Sequence, residues 1–222
     1  IGKINPRQLA NLKDALKTAV LIKEEFLKAH SPHLSVIAGT IPDKADVITR
    51  IEKALTDEPP LVINKGNIIR RGFSSELDEL NDSIHEARLY IASLQQIEKE
   101  RTGINTLKVG FNKIYGYYLE VSKAGAEKVP SVYIRKQTLV NAERYITPEL
   151  KDKESLILTA EEKIFTLETN LYQELVEQVN QHIADIMLTA ELLAEIDLVA
   201  ALAELAVQNG YSRPTIFEDT RL

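Results

Sequence analysis

The chain has 222 residues, of which 44% are hydrophobic and 27% charged, enough apolar material for a core, so wholesale disorder is excluded. Nine Gly and eight Pro exclude a collagen-like or linker-rich chain, and the lack of Cys excludes disulfides, thiolate metal sites and cysteine nucleophiles. The net charge of −6 excludes a chain that is basic throughout.

In chain order, Asn5 to Lys28 reads as a helix (Leu9, Leu12, Leu16, Val20, Ile22). Ser31-Pro32-His33 reads as a turn, Ala45 to Leu55 as a short helix ended by Pro59-Pro60, and Leu61 to Arg71 as an extended turn. From Gly72 to Gly103 there are 30 residues without Gly or Pro, which favours a long helix. Its apolar stripe is Leu77, Leu80, Ile84, Ala87, Ile91, Leu94 and Ile97; Ser74 or Ser75 is the expected N-cap and Gly103 the stop. At about 1.5 Å per residue such a helix is roughly 40 Å long.

The stretch from Asn105 to Pro148 differs in kind. Leu107, Val109 and Phe111 alternate with polar or small residues, as do Tyr117, Leu119 and Val121, which predicts two strands joined by a hairpin at Asn112 to Gly116. A second pair is expected over Tyr133 to Leu139 and Ala142 to Ile146.

Another 61 residues without Gly or Pro follow Pro148, with Thr147 as the expected cap. Ile157, Ala160, Ile164, Leu167 and Leu171 form a heptad-like seam. Leu175, Val179 and Ile183 then drift to steps of four, which predicts entry into a bundle and a break near residues 181–185. From Ile186 to Val207 the apolar residues lie nearly all round, which predicts a helix buried on most sides. This stretch is interrupted by Glu191, Glu195, Asp197 and Glu204, so it is not read as a membrane span.

The predicted fold is therefore mainly α with an inserted small antiparallel β-sheet, two long helices carrying the sheet at their shared tip. The expected divisions are residues 1–104, 105–148 and 149–222. No secretory signal pattern is present, so a cytoplasmic protein is expected. A start at Ile1 rather than Met leads us to expect an excised piece of a longer chain.

Residues 105–149 hold seven Lys or Arg against four acids, a local charge of +3 that leaves −9 for the remainder. Six of the thirteen aromatics also fall there. A basic, Tyr-rich sheet on an acidic helical support suggests a tip that meets something anionic. Tyr and Phe also build small sheet cores, so Phe111, Tyr117, Tyr133 and Tyr145 are expected to be packing residues. Asn112 and Lys113 at one chain reversal, and Arg135, Lys136, Gln137 and Asn141 near the other, are the polar and basic groups suited to phosphate oxygens. Asn112 and Asn141 would serve turn geometry equally well.

No catalytic constellation is present. None of the glycines stands in a Walker A pattern. His30 and His33 flank Pro32 without a third ligand, so no metal site is assigned, and His85 and His182 read as ordinary helix residues.

The segment Leu107 to Val121 (LKVGFNKIYGYYLEV) resembles a hallmark of the MutS family of DNA mismatch repair proteins. Tyr133 to Leu150 (YIRKQTLVNAERYITPEL) resembles the segment that follows it. Asn5-Pro6-Arg7 with Leu9, and Glu76 to Leu80, match in the same order, with Gln8 where Asp is expected. The resemblance implies the core, lever helices and β-rich clamp of such a protein, from the branch of the family that has a clamp. The clamp would grip duplex DNA without reading sequence, and the levers would pass conformational state to an ATPase domain lying after Leu222. The mismatch-reading and connector domains would lie upstream, so this piece should neither hydrolyse ATP nor select mismatches, and it would hold no cofactor itself. ATP and magnesium, a second subunit and a MutL-like partner are implied for the longer protein. Family clamp contacts carry over to Asn112 and Asn141; Lys113, Arg135, Lys136 and Gln137 follow from charge and loop placement. The competing reading is a structural coiled-coil arm whose tip docks a protein.

Overall fold

A computed structural model describes residues 4–28 and 31–216. The chain divides into two compact units, Ile1–Val62 with Gln173–Leu222, and Ile63–Tyr172.

In the first unit, helix α1 (Pro6–Leu27) opens with a reciprocal cap: Asn5 Oδ1 accepts from the Gln8 amide at 2.9 Å and Gln8 Oε1 accepts from the Asn5 amide at 3.0 Å. Gln8 thus does at the cap what a carboxylate would do. Residues 32–40, expected as no more than a turn at their start, form helix α2 (Pro32–Thr40). Ser31 caps it and Pro32 fills its first position, where a missing N–H costs nothing. Helix α3 (Ala45–Ala54) follows as expected, but it ends at Leu55, ahead of the Pro pair.

Helix α5 (Pro148–Asn180) breaks at Gln181 and His182 before helix α6 (Ile183–Gln208), where the change of step predicted a break. The expectation that α6 is buried on most sides is corrected. Within it only Thr189 and Ile196 are buried, while Leu198, Leu202, Leu205 and Val207 are exposed, Val207 to 83%. Ile196, Leu192 and Leu193 pack with Ile37 of α2, with Ile41 just beyond it, and with Ile22 and Phe26 of α1.

In the second unit, helix α4 (Ser75–Thr102) is capped by Ser74, whose hydroxyl accepts from the Leu77 amide, and stopped by Gly103 in the left-handed region at φ 67°. Its expected stripe holds for Leu77, Ile84, Ala87, Ile91 and Leu94. Ile97 departs from it and is exposed; Glu98 takes the buried position instead. The stripe steps by four from Leu94, and the carboxylate is tolerated because Tyr133 and Arg101 both donate to Glu98 Oε2, at 2.7 and 2.8 Å.

Strands β1 (Lys108–Asn112), β2 (Gly116–Ser122), β3 (Ile134–Thr138) and β4 (Ala142–Ile146) form one antiparallel sheet in the order β1-β2-β4-β3. Its inner face supplies Leu119, Val121 and Tyr145 to a core shared with Ile84, Ala87, Ile91 and Leu94 of α4 and Leu150, Ile157 and Ala160 of α5. Thr147 Oγ1 accepts from the Leu150 amide at 3.1 Å and so caps α5. Arg88 of α4 meets Glu161 of α5 at 2.7 Å, and Lys153 lies over the ring of Tyr90, so the two helices run antiparallel. The architecture is mainly α with an inserted small antiparallel sheet.

The segment read as an extended turn before α4 is more definite than that. It holds a single turn of tight helix, Ile63–Lys65, then Gly66 and Asn67 in the left-handed region, then two buried residues, Ile68 and Ile69. Their amides donate to Glu168 Oε1 of α5, at 2.9 and 3.2 Å. Glu168 is itself buried, and its Oε2 has no hydrogen-bond partner among the described residues.

Candidate nucleic-acid interface

The register of the sheet decides where each candidate residue stands. Asn112 pairs with Gly116 at one end of β2, and Ala142 pairs with Ser122 at the other. The two chain reversals, 113–115 and 139–141, therefore lie at opposite ends of the sheet. At roughly 3.3 Å per residue, the six steps of β2 separate them by about 20 Å.

Asn112 and Lys113 belong to the first end. Asn112 Oδ1 accepts from the Ile114 amide at 2.7 Å, so this side chain does serve turn geometry, while Lys113 is exposed. Asn141 belongs to the other end, where it is exposed and its carbonyl accepts from the Lys123 amide at 3.2 Å. The structure does not bring these two groups together.

Strand β3 separates the rest. Arg135 opposes Tyr145, and Gln137 opposes Arg144; Lys136 is the residue without a partner in this irregular step. Such a bulge places two residues against one. It turns Arg135 and Gln137, two apart in sequence, to opposite faces of the sheet. Arg135 lies with the inner-face residues and pairs with Glu143 at 3.2 Å. Gln137 lies on the outer face, where its Oε1 accepts from Arg144 Nη1 at 3.0 Å. Lys136 is exposed.

The pairing sets one outward row across all four strands: Lys108, Glu120, Arg144 and Gln137. Arg144 Nε donates to Glu120 Oε2 at 2.9 Å. Its guanidinium carbon sits 4.3 Å from the centre of the Tyr118 ring, and that ring overlies Gly110. Arg144 and Tyr118 escaped sequence reading because they stand in mid-strand, away from the chain reversals; Gly110 in the middle of β1, opposite Tyr118, is the local hint of a ring lying over a glycine.

Of the four aromatics expected to pack, Tyr133 and Tyr145 are buried and Tyr117 is half-buried. Phe111 is instead exposed to 60%, its ring centre 5.0 Å from that of Tyr117, because it stands at the sheet's end. Ile114 and Val140, at the two chain reversals, are exposed to 81% and 84%.

Inside the sheet, Tyr145 donates a short hydrogen bond to Glu143. That bond, with Arg135 beside it, holds the Glu143 carboxyl below the usual carboxylate range. Burial first, and then Glu143, push the Tyr145 hydroxyl up to about 12.

No group of three or more His, Cys, Asp or Glu that could hold a metal ion is found among the described residues. His30 lies outside them, and His33 Nε2 stands 3.5 Å from Glu195. No helix among them is long and apolar enough to cross a membrane.

Comparison with known sequences places this geometry. The family described as MutS family domain IV matches residues 72–163, which take in α4, the whole sheet and the first half of α5. DNA mismatch repair protein MutS of Bacteroides fragilis is 44% identical over 216 residues, covering 97% of this chain and 25% of the relative. The protein of the same name from Salinibacter ruber is 46% identical over 215 residues, covering 97% and 24%. That from Methanosarcina mazei is 43% identical over 225 residues, covering 100% and 25%. The chain thus spans about a quarter of the length of the curated relatives it matches. With identity spread over its whole length and the hairpin segments inside the matched domain, the chain belongs to the MutS family of DNA mismatch repair proteins and carries that family's domain IV.

Proposed function

We propose that this chain is the lever and clamp portion of a MutS-like protein, holding duplex DNA through its phosphates without reading sequence. The observation that carries the reading is the outward face of the sheet. It presents Lys108, Arg144 and Gln137 in one row, with exposed Lys113 and Asn141 at its two ends and Lys136 on its edge strand. Polar and cationic groups spread over about 20 Å suit several separate phosphates and no single base edge. The antiparallel α4 and α5 support the sheet and are read as levers that transmit its state to an ATPase domain of the longer protein. ATP, magnesium, a second subunit, a MutL-like partner and a cytoplasmic setting belong to that longer protein in this reading; the domain divisions it uses are 1–104, 105–148 and 149–222.

The second reading, an arm whose tip docks a protein, is favoured by one observation, the exposure of Ile114 and Val140 at the chain reversals. Binding to a fluorescent homoduplex and to its mismatched twin across a salt series separates the two. With two to four phosphate contacts, log affinity falls against log salt with a slope of roughly −2 to −4. Equal affinity for both duplexes at such a slope, lost in Lys136→Ala with Asn141→Ala, upholds the clamp reading. No binding at low salt moves the docking arm to first place.

A further inference from the structure

We propose that Arg144 is a preset phosphate-binding group at the middle of the outward face, held ready by Tyr118, Glu120 and Gln137. The inference rests on the duplex-binding reading and adds to it a residue that no loop position suggested. A guanidinium has five N–H donors in a rigid fork. In Arg144, Nε is spent on Glu120 and one Nη1 hydrogen on Gln137. Nη2 makes no hydrogen bond among the described residues, and the side chain retains 21% of its exposure. The Tyr118 ring lies against the guanidinium, so its plane is fixed before any ligand arrives. Gly110 makes this possible, because the ring occupies the space its missing side chain would fill.

The surroundings suit an anion. Glu120 is the one acid in the outward row and is engaged by Arg144, while Lys108 on the far side of Glu120 is exposed. The free Nη2 edge can therefore take a phosphate oxygen while Nε keeps its carboxylate. Arg144 also stands between the two ends of the sheet. A duplex crossing this face would meet Asn112 and Lys113, then Arg144, then Asn141. A fork already oriented loses less freedom on binding than an exposed lysine does.

The test is anisotropy of a short fluorescent homoduplex with the wild-type chain, Arg144→Ala and Arg144→Lys, over a salt series. Arg144→Ala is expected to bind about ten-fold more weakly at low salt and to lower the magnitude of the salt slope by about one. Arg144→Lys is expected to lose nearly as much affinity while keeping the slope, because the charge stays and the fork goes. Arg144→Lys binding like wild type, or Arg144→Ala leaving affinity and slope unchanged, overturns the assignment and leaves duplex binding intact. A wild-type chain that binds no duplex overturns the duplex reading itself, and this assignment with it. If either variant melts below the assay temperature, Tyr118→Leu replaces it, since it removes the stack and leaves the arginine. A several-fold loss at unchanged slope then upholds the assignment, and wild-type affinity overturns it.

Discussion

The ring of Tyr118 stands where a side chain at position 110 would have to be: a Cβ built on Gly110 would lie 2.6 Å from Tyr118 Cζ and 2.7 Å from its hydroxyl oxygen. Gly110 is not in the left-handed region, so the requirement is for space and not for backbone freedom. Gly110→Ala is expected to push the ring off β1, loosen the Arg144 stack and cost about 1–3 kcal/mol, the range for overpacking. Urea unfolding reads the loss. In a Tyr118→Ala background the same substitution should cost almost nothing; an equal cost in both backgrounds would place the effect elsewhere.

Glu168 ties the segment before α4 to α5 through two buried amides. Glu168→Ala leaves the amides of Ile68 and Ile69 unpaired and should destabilise the chain by about 2–4 kcal/mol. Hydrogen exchange gives the local measurement. Protection at Ile68 and Ile69 should fall far more than protection within α3, and a uniform fall would contradict the tie.

The buried Glu98 joins α4 to the loop before β3 through the Tyr133 hydroxyl. Tyr133→Phe removes one bond to a charged acceptor and should cost about 1–2 kcal/mol. Glu98→Ala should cost more, since it strands both that hydroxyl and Arg101, whose own exposure moderates the loss. The order of the two urea midpoints is the check.

Glu143 and Tyr145 make stability depend on pH at both ends of the range. The Glu143 carboxyl is lowered, so its contribution is present above the unfolded value of about 4.3 and lost as pH falls through the folded one. The Tyr145 hydroxyl is raised to about 12, so its contribution is complete below the unfolded value and lost as pH climbs through 12. Glu143→Gln should flatten the acid limb of the urea midpoint against pH, and Tyr145→Phe the alkaline limb. Limbs that stay parallel to wild type would show that the pair does not carry the dependence.

Much of this protein was legible in its sequence. The long helices, their caps at Ser74 and Thr147, the stop at Gly103, the change of step before residue 181 and the strand pairs all depend on chemistry within about four residues of chain, which a one-dimensional reading captures. The hairpin segments with their basic, aromatic composition also carried the family. The faces and partners were decided by tertiary structure alone. β2 and β4, joined neither by a hairpin nor by neighbouring sequence, pair at the centre of the sheet and send the two chain reversals to opposite ends. One irregular step at Lys136 splits Arg135 from Gln137, because a bulge reverses the alternation on which spacing arguments rest. The burial of Glu98 in place of Ile97 and the exposure of α6 depend on which distant groups arrive to pair or cover them. Arg144 meets Glu120 across 24 residues of chain, and no local pattern specifies a contact of that range.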